Sequence, residues 1–139
     1  GWLLVHYTQP VDDAELLAHM VETGKAMALL DALLPEVEPH LKLAFSKDQL
    51  AWCEANEYEV WKALAGKDQL FSKKGEDIGR WMNDGPFTNG LPRESPGHLG
   101  EWIGLRMVQA CMKANPELTF AQLFAINDPR EILKHYKPR

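Results

Sequence analysis

The apolar and polar positions alternate with a helical period along most of the chain. Leu16, Leu17, Met20, Val21, Gly24, Met27, Ala28 and Leu30 keep the three-and-four spacing of one helix face, and Asp12 and Asp13 precede them as capping types. This spacing predicts a first long helix that ends at Leu34-Pro35. Ser46 and Gln49 form a capping box for a second helix over roughly 47 to 65, closed by Gly66. Leu50, Cys53, Val60, Trp61 and Leu64 trace an apolar arc on it, and at about 100° per residue Glu57 falls in the middle of that arc. A short turn and a short helix around Ile78, Trp81 and Met82 follow.

The most apolar segment comes next. Ser95 is an N-cap type with Pro96 at the first helical position, and Asn115-Pro116 stops the run. Between them Trp102, Ile103, Leu105, Met107, Val108, Ala110, Cys111 and Met112 cover most of the circumference, which places this helix in the core. Gly97, Gly100 and Gly104 share one face, and each weakens the helix by roughly 1 kcal/mol relative to alanine. Either another helix packs closely there, with the first long helix around Gly24 the leading candidate, or room is left for a ligand at the N-terminal end. Thr119 and Gln122 make a second capping box for a short helix through Ile126, and Asp128-Pro129 opens a last one ending near Tyr136. Residues 2 to 5, WLLV, fit a strand or a buried helix end equally well. With no convincing strand, repeat or low-complexity tract, the expected class is all-α, arranged around one central buried helix.

Composition narrows the partners. A chain of 139 residues with 45% hydrophobic content fits a single mainly helical domain over 1–139. The net charge of −5 and the scattered Lys and Arg argue against nucleic acid. The apolar runs fall short of the roughly 18 residues that span a bilayer. The opening Gly1-Trp2 suggests a processed product or the C-terminal part of a longer protein. Cys53 and Cys111 lie on apolar helix faces and read as buried free thiols, their redox state left open.

Candidate chemistry is sparse. Glu57, aimed inward, requires a partner, and Arg106 on the central helix is the first choice with His98 the second. His19 and Glu22, one helical turn apart, are weak metal candidates, and no HExxH, CxxC, GxSxG or phosphate-loop motif accompanies them. Residues 85 to 97, GPFTNGLPRESPG, have no period and carry three prolines, so they read as a loop built to hold a shape. Phe87, Leu91 and Arg93, with His98 and Trp102 at the adjoining helix start, form the expected binding surface. Phe87 and Leu91 could instead plug the core beneath it.

The order of these residues resembles the gliding-motility lipoprotein GldB family and, more distantly, a family of predicted zinc-dependent proteases. The resemblance covers about residues 15 to 138 and is carried by Asn56-Glu57 with Trp61, Pro86-Phe87, the SPG at 95 to 97, the WIG at 102 to 104 and the closing YKP. It implies the helical part of a zincin-like fold, and a bacterial envelope protein held by a lipid outside these residues, in the periplasm or at the outer membrane. Other envelope proteins are then the expected partners. The protease relatives carry HExxH and a downstream Glu before a glycine; here the counterparts are Thr23-Gly24 and WLLVH, of which only His6 survives as a ligand type. The resemblance therefore implies a non-catalytic binding or assembly module without a cofactor. A zinc metallopeptidase whose HExxH lies outside or is degenerate in these residues is the alternative.

Overall fold

The structure is a computed structural model and describes residues 15–43, 45–82, 97 and 99–137. The elements formed by the described residues are all helical: α1 Leu16–Leu33, α2 Pro39–Lys42, α3 Lys47–Ala55, α4 Glu57–Ala65, a 3-10 turn Gly66–Phe71, α5 Gly75–Met82, α6 Leu99–Ala114, α7 Phe120–Ala125 and α8 Pro129–Leu133. The chain is all-α in class.

The ends of these helices follow local chemistry. Ser46 Oγ accepts from the Gln49 N–H at 3.0 Å while Gln49 Oε1 accepts from the Ser46 N–H at 2.8 Å. Thr119 and Gln122 repeat the arrangement at 2.9 and 3.1 Å. Asp128 accepts from the Arg130 N–H at 3.0 Å, with Pro129 at the first helical position. Asn115 closes α6 by donating its side-chain amide to the Cys111 carbonyl at 2.9 Å, and Pro116 prevents continuation. The expected caps at Asp12, Asp13, Ser95 and Pro96 lie outside the described residues, as do residues 2 to 5.

One expectation fails. The helix over 47 to 65 is two helices, because Asn56 leaves helical geometry at φ −120° and ψ 18°. Its side chain donates to the Trp52 carbonyl at 2.9 Å, satisfying the end of α3 and making a new start for α4, where Glu57 and Glu59 suit the positive end of the helix dipole.

The core is the seam between α1 and α6, the pair that packs most extensively among the described elements. Leu16, Leu17, Met20 and Val21 of α1 and Ile103, Met107 and Val108 of α6 are fully or almost fully buried in one cluster with Trp81, Val60 and Leu64. At the centre of the seam the two backbones touch. A Cβ added to Gly104 would lie 2.7 Å from the Met20 carbonyl carbon and closer still to its oxygen. A Cβ on Gly24 would meet the Gly104 carbonyl and lie 2.9 Å from the Leu105 nitrogen. Gly100 faces α5 instead, where a Cβ would be 2.8 Å from both the Trp81 carbonyl oxygen and Met82 Sδ. Glycine is required here by close approach, and the helix-weakening of each glycine is offset by the apolar contacts the approach allows.

Candidate functional site

Glu57 stands at the first turn of α4 and its carboxylate meets the flank of α6 and the chain just after α8. Arg106 Nε donates to Glu57 Oε2 at 3.3 Å, and the Tyr136 hydroxyl donates to the same oxygen at 2.7 Å. Arg106 Nη1 also donates to Gln109 Oε1 at 3.1 Å, three residues on along α6. The guanidinium is thus held at two points before any ligand arrives.

The pair is less deeply placed than the arc of apolar residues predicts. Glu57 keeps 18% of its side chain exposed and Arg106 45%, since the break at Asn56 moves Glu57 from mid-helix to a helix start at the rim of the core. Tyr136, 7% exposed, is the buried member. Trp61 packs edge-on against its ring, with centroids 5.1 Å apart and planes at 85°. Burial first, then the hydrogen bond and negative charge of Glu57, push the Tyr136 hydroxyl well above the usual phenol range, with Arg106 opposing weakly. The hydroxyl therefore keeps its proton and acts as a donor.

These side chains border a cleft of about 420 Å³, with Gln109, Lys113 and His135 completing most of its wall. Among the described residues, Arg106, Lys113 and Lys137 bring positive charge to a cleft whose one acid is Glu57, on a chain of net charge −5. The arrangement suits recognition of an anionic group.

The remaining predicted residues are distributed as follows. Trp102, expected on a binding surface, is a core residue at 3% exposure: its side of α6 is covered, and Arg106, Gln109 and Lys113 mark the side that faces the cleft. Phe87, Leu91, Arg93, His98 and His6 lie outside the described residues. His19 and Glu22 sit on α1, and Glu22 Oε1 accepts from Lys25 Nζ at 3.0 Å. Among the described residues no three His, Cys, Asp or Glu side chains are gathered to hold a metal ion. Cys53 and Cys111 are free and buried; burial above all, with the Glu54 charge behind it, pushes the Cys53 thiol up to about 12. Such a thiol is not a nucleophile at neutral pH.

Two residues escaped the sequence reading. Lys25 is 1% exposed and donates to the Ile126 carbonyl at 2.7 Å as well as to Glu22, tying α1 to the end of α7. Its spacing is the signal that could have found it, since Val21, Lys25 and Ala28 share one helix face. Tyr136 lies in the closing YKP, and Glu57 in the NE at 56 to 57, so two segments that carry the family resemblance meet in one hydrogen bond.

No helix among the described residues is long and apolar enough to cross a membrane. No curated protein and no solved structure matches the chain. The family model described as "Gliding motility protein GldB" matches residues 1–138 and so takes in every helix described above. The chain belongs to the GldB family of gliding-motility lipoproteins.

Proposed function

We propose that the chain is a non-catalytic, zincin-like binding or assembly module of a cell-envelope lipoprotein, engaging other envelope components and using no metal or nucleic acid. The observation that carries the binding reading is the cleft beside Glu57: a fixed guanidinium, a protonated phenol and two lysines converge there. Nothing in that set is an activated nucleophile, and a recognition site needs what it offers, charge held in place. Glu22 is engaged by the Lys25 ammonium, which opposes a cation at the His19–Glu22 pair. The zincin-like relation and the envelope compartment rest on the family resemblance and on the family's lipoprotein character. The segment from Phe87 to His98 remains, on its sequence, a second part of the partner surface.

Two measurements test this reading. Protein purified without chelator is analysed for metal, with no stoichiometric zinc expected; zinc lost on replacing His19 and Glu22 would overturn it. The full lipoprotein carrying Arg106→Gln is then returned to gliding cells that lack their own copy. The variant is expected to reach normal abundance and fail to restore movement, whereas full restoration would remove the cleft from the function.

A further inference from the structure

Resting on that binding reading, we infer that the cleft beside Glu57 takes a carboxylate, the monoanionic end of a small polar ligand with the chemistry of a peptide C-terminus, held by Arg106 and Lys113. Arg106, Gln109, Ala110 and Lys113 follow one another at helical spacing and line the cleft together. Arg106 has five N–H donors, and its contacts to Glu57 Oε2 and Gln109 Oε1 fix the plane of the fork while leaving donors for a ligand. That fixation lowers the ordering cost of binding.

Net charge favours an anion of either kind, since Arg106, Lys113 and Lys137 outnumber Glu57 in the wall of the cleft; what separates carboxylate from phosphate is the acceptor that Glu57 adds beside the cations. The charge of Glu57 is partly answered, because Arg106 and Tyr136 both donate to Oε2. No described residue donates to the other oxygen, Oε1, which is therefore an acceptor for a ligand N–H or O–H. A peptide terminus supplies both groups, a carboxylate for the fork and an amide N–H a few bonds away. Size points the same way: about 420 Å³ exceeds what a bare ion fills and lies in the range of small-molecule sites.

The test is a titration of the nitrogen-15-labelled chain, at low salt, with N-acetylglycylglycine, with its C-terminal amide, and with inorganic phosphate. Saturable shifts at the amides of Ala110, Lys113 and Tyr136 are expected with the free carboxylate and not with the amide, and phosphate is expected to bind more weakly. Arg106→Gln should weaken the carboxylate about tenfold, the loss of one charged hydrogen bond. Lys113→Gln, an exposed change that leaves the Glu57 contacts alone, should weaken it severalfold, and Lys47→Gln on α3 should leave it unchanged. No saturable response, an equal response to the amide, tighter binding of phosphate, or indifference to both Arg106→Gln and Lys113→Gln would overturn the assignment. Failure here with loss of gliding in Arg106→Gln cells retires the carboxylate and keeps the binding module. Carboxylate binding with gliding intact does the reverse.

Discussion

Replacing Gly104 by alanine adds one methyl group at the point where α1 and α6 touch through their backbones. The added Cβ would stand 2.7 Å from the Met20 carbonyl carbon, with the carbonyl oxygen nearer, and 3.3 Å from Met20 Cα. No rotamer relieves this, because the obstacle is backbone. Helix α1 has to retreat by a large fraction of an ångström or more, opening the packing of Leu17, Val21, Ile103 and Val108 around it. Overpacking of this kind costs roughly 1–3 kcal/mol and occasionally more. Alanine returns about 1 kcal/mol of helix propensity, so the net loss is about 2 kcal/mol with a rigid seam at the upper end. For a domain of this size that lowers the melting temperature by several degrees, roughly 5–10 °C. Thermal and urea unfolding followed by circular dichroism measure it. Gly75→Ala is the control, since a Cβ there meets nothing within 4 Å. Because Gly24 and Gly104 share one contact, Gly24→Ala should cost less in the Gly104→Ala background than alone. A Gly104→Ala chain that melts within a degree of its parent would refute backbone contact at the seam.

Three further outcomes follow from the same structure. Glu57→Ala should destabilise by about 1–3 kcal/mol, chiefly by stranding the buried Tyr136 hydroxyl, because half-exposed Arg106 can turn to water. A double cycle with Tyr136→Phe in urea melts should show coupling, and additivity would refute the contact. Lys25→Ala should cost about 2–4 kcal/mol by leaving a core void and an unpaired Ile126 carbonyl, and a neutral result in the same assay would place Lys25 at the surface. Stability should fall as pH rises above 9: the Cys53 thiol titrates near 9.0 when unfolded and about 12 when folded, so in that window the unfolded chain holds fewer protons and gains. Tyr136, also raised, adds to the fall above 10.0. Urea midpoints that stay level from pH 8 to 11 would contradict both burials.

The features legible in the sequence were those set by neighbours in the chain or by residue size. Capping boxes at Ser46 and Thr119 and the Asp128-Pro129 start are complete within four residues, and the structure reproduces each. Gly24 and Gly104 could be matched because only a missing side chain lets helices approach so closely. The break at Asn56 was hidden, since an asparagine inside an apolar period is tolerated until its amide finds the Trp52 carbonyl. That break is why the arc placed Glu57 deeper than it lies. Arg106 could be named as its partner by charge alone, but Tyr136 joins from 79 residues away and no local signal reaches that far. Trp102 misled for a related reason: where apolar residues cover most of a helix's circumference, sequence cannot say how far the covered side extends.

The Gly24–Gly104 crossing also constrains the order in which the chain can fold. Its two halves are separated by most of the sequence, and loop-closure entropy opposes their meeting until the intervening helices have shortened the path. The ends of α3 and α4 at Ser46 and Asn56 are set by local contacts, whereas the seam between α1 and α6 requires closure of the long intervening loop. A contact made of backbone also admits one register: displacing α6 by a single residue would bring the Ile103 or Leu105 side chain against the Met20 carbonyl. The two glycines thus act as a keyway, refusing near-native alignments that a seam of interchangeable leucines would accept.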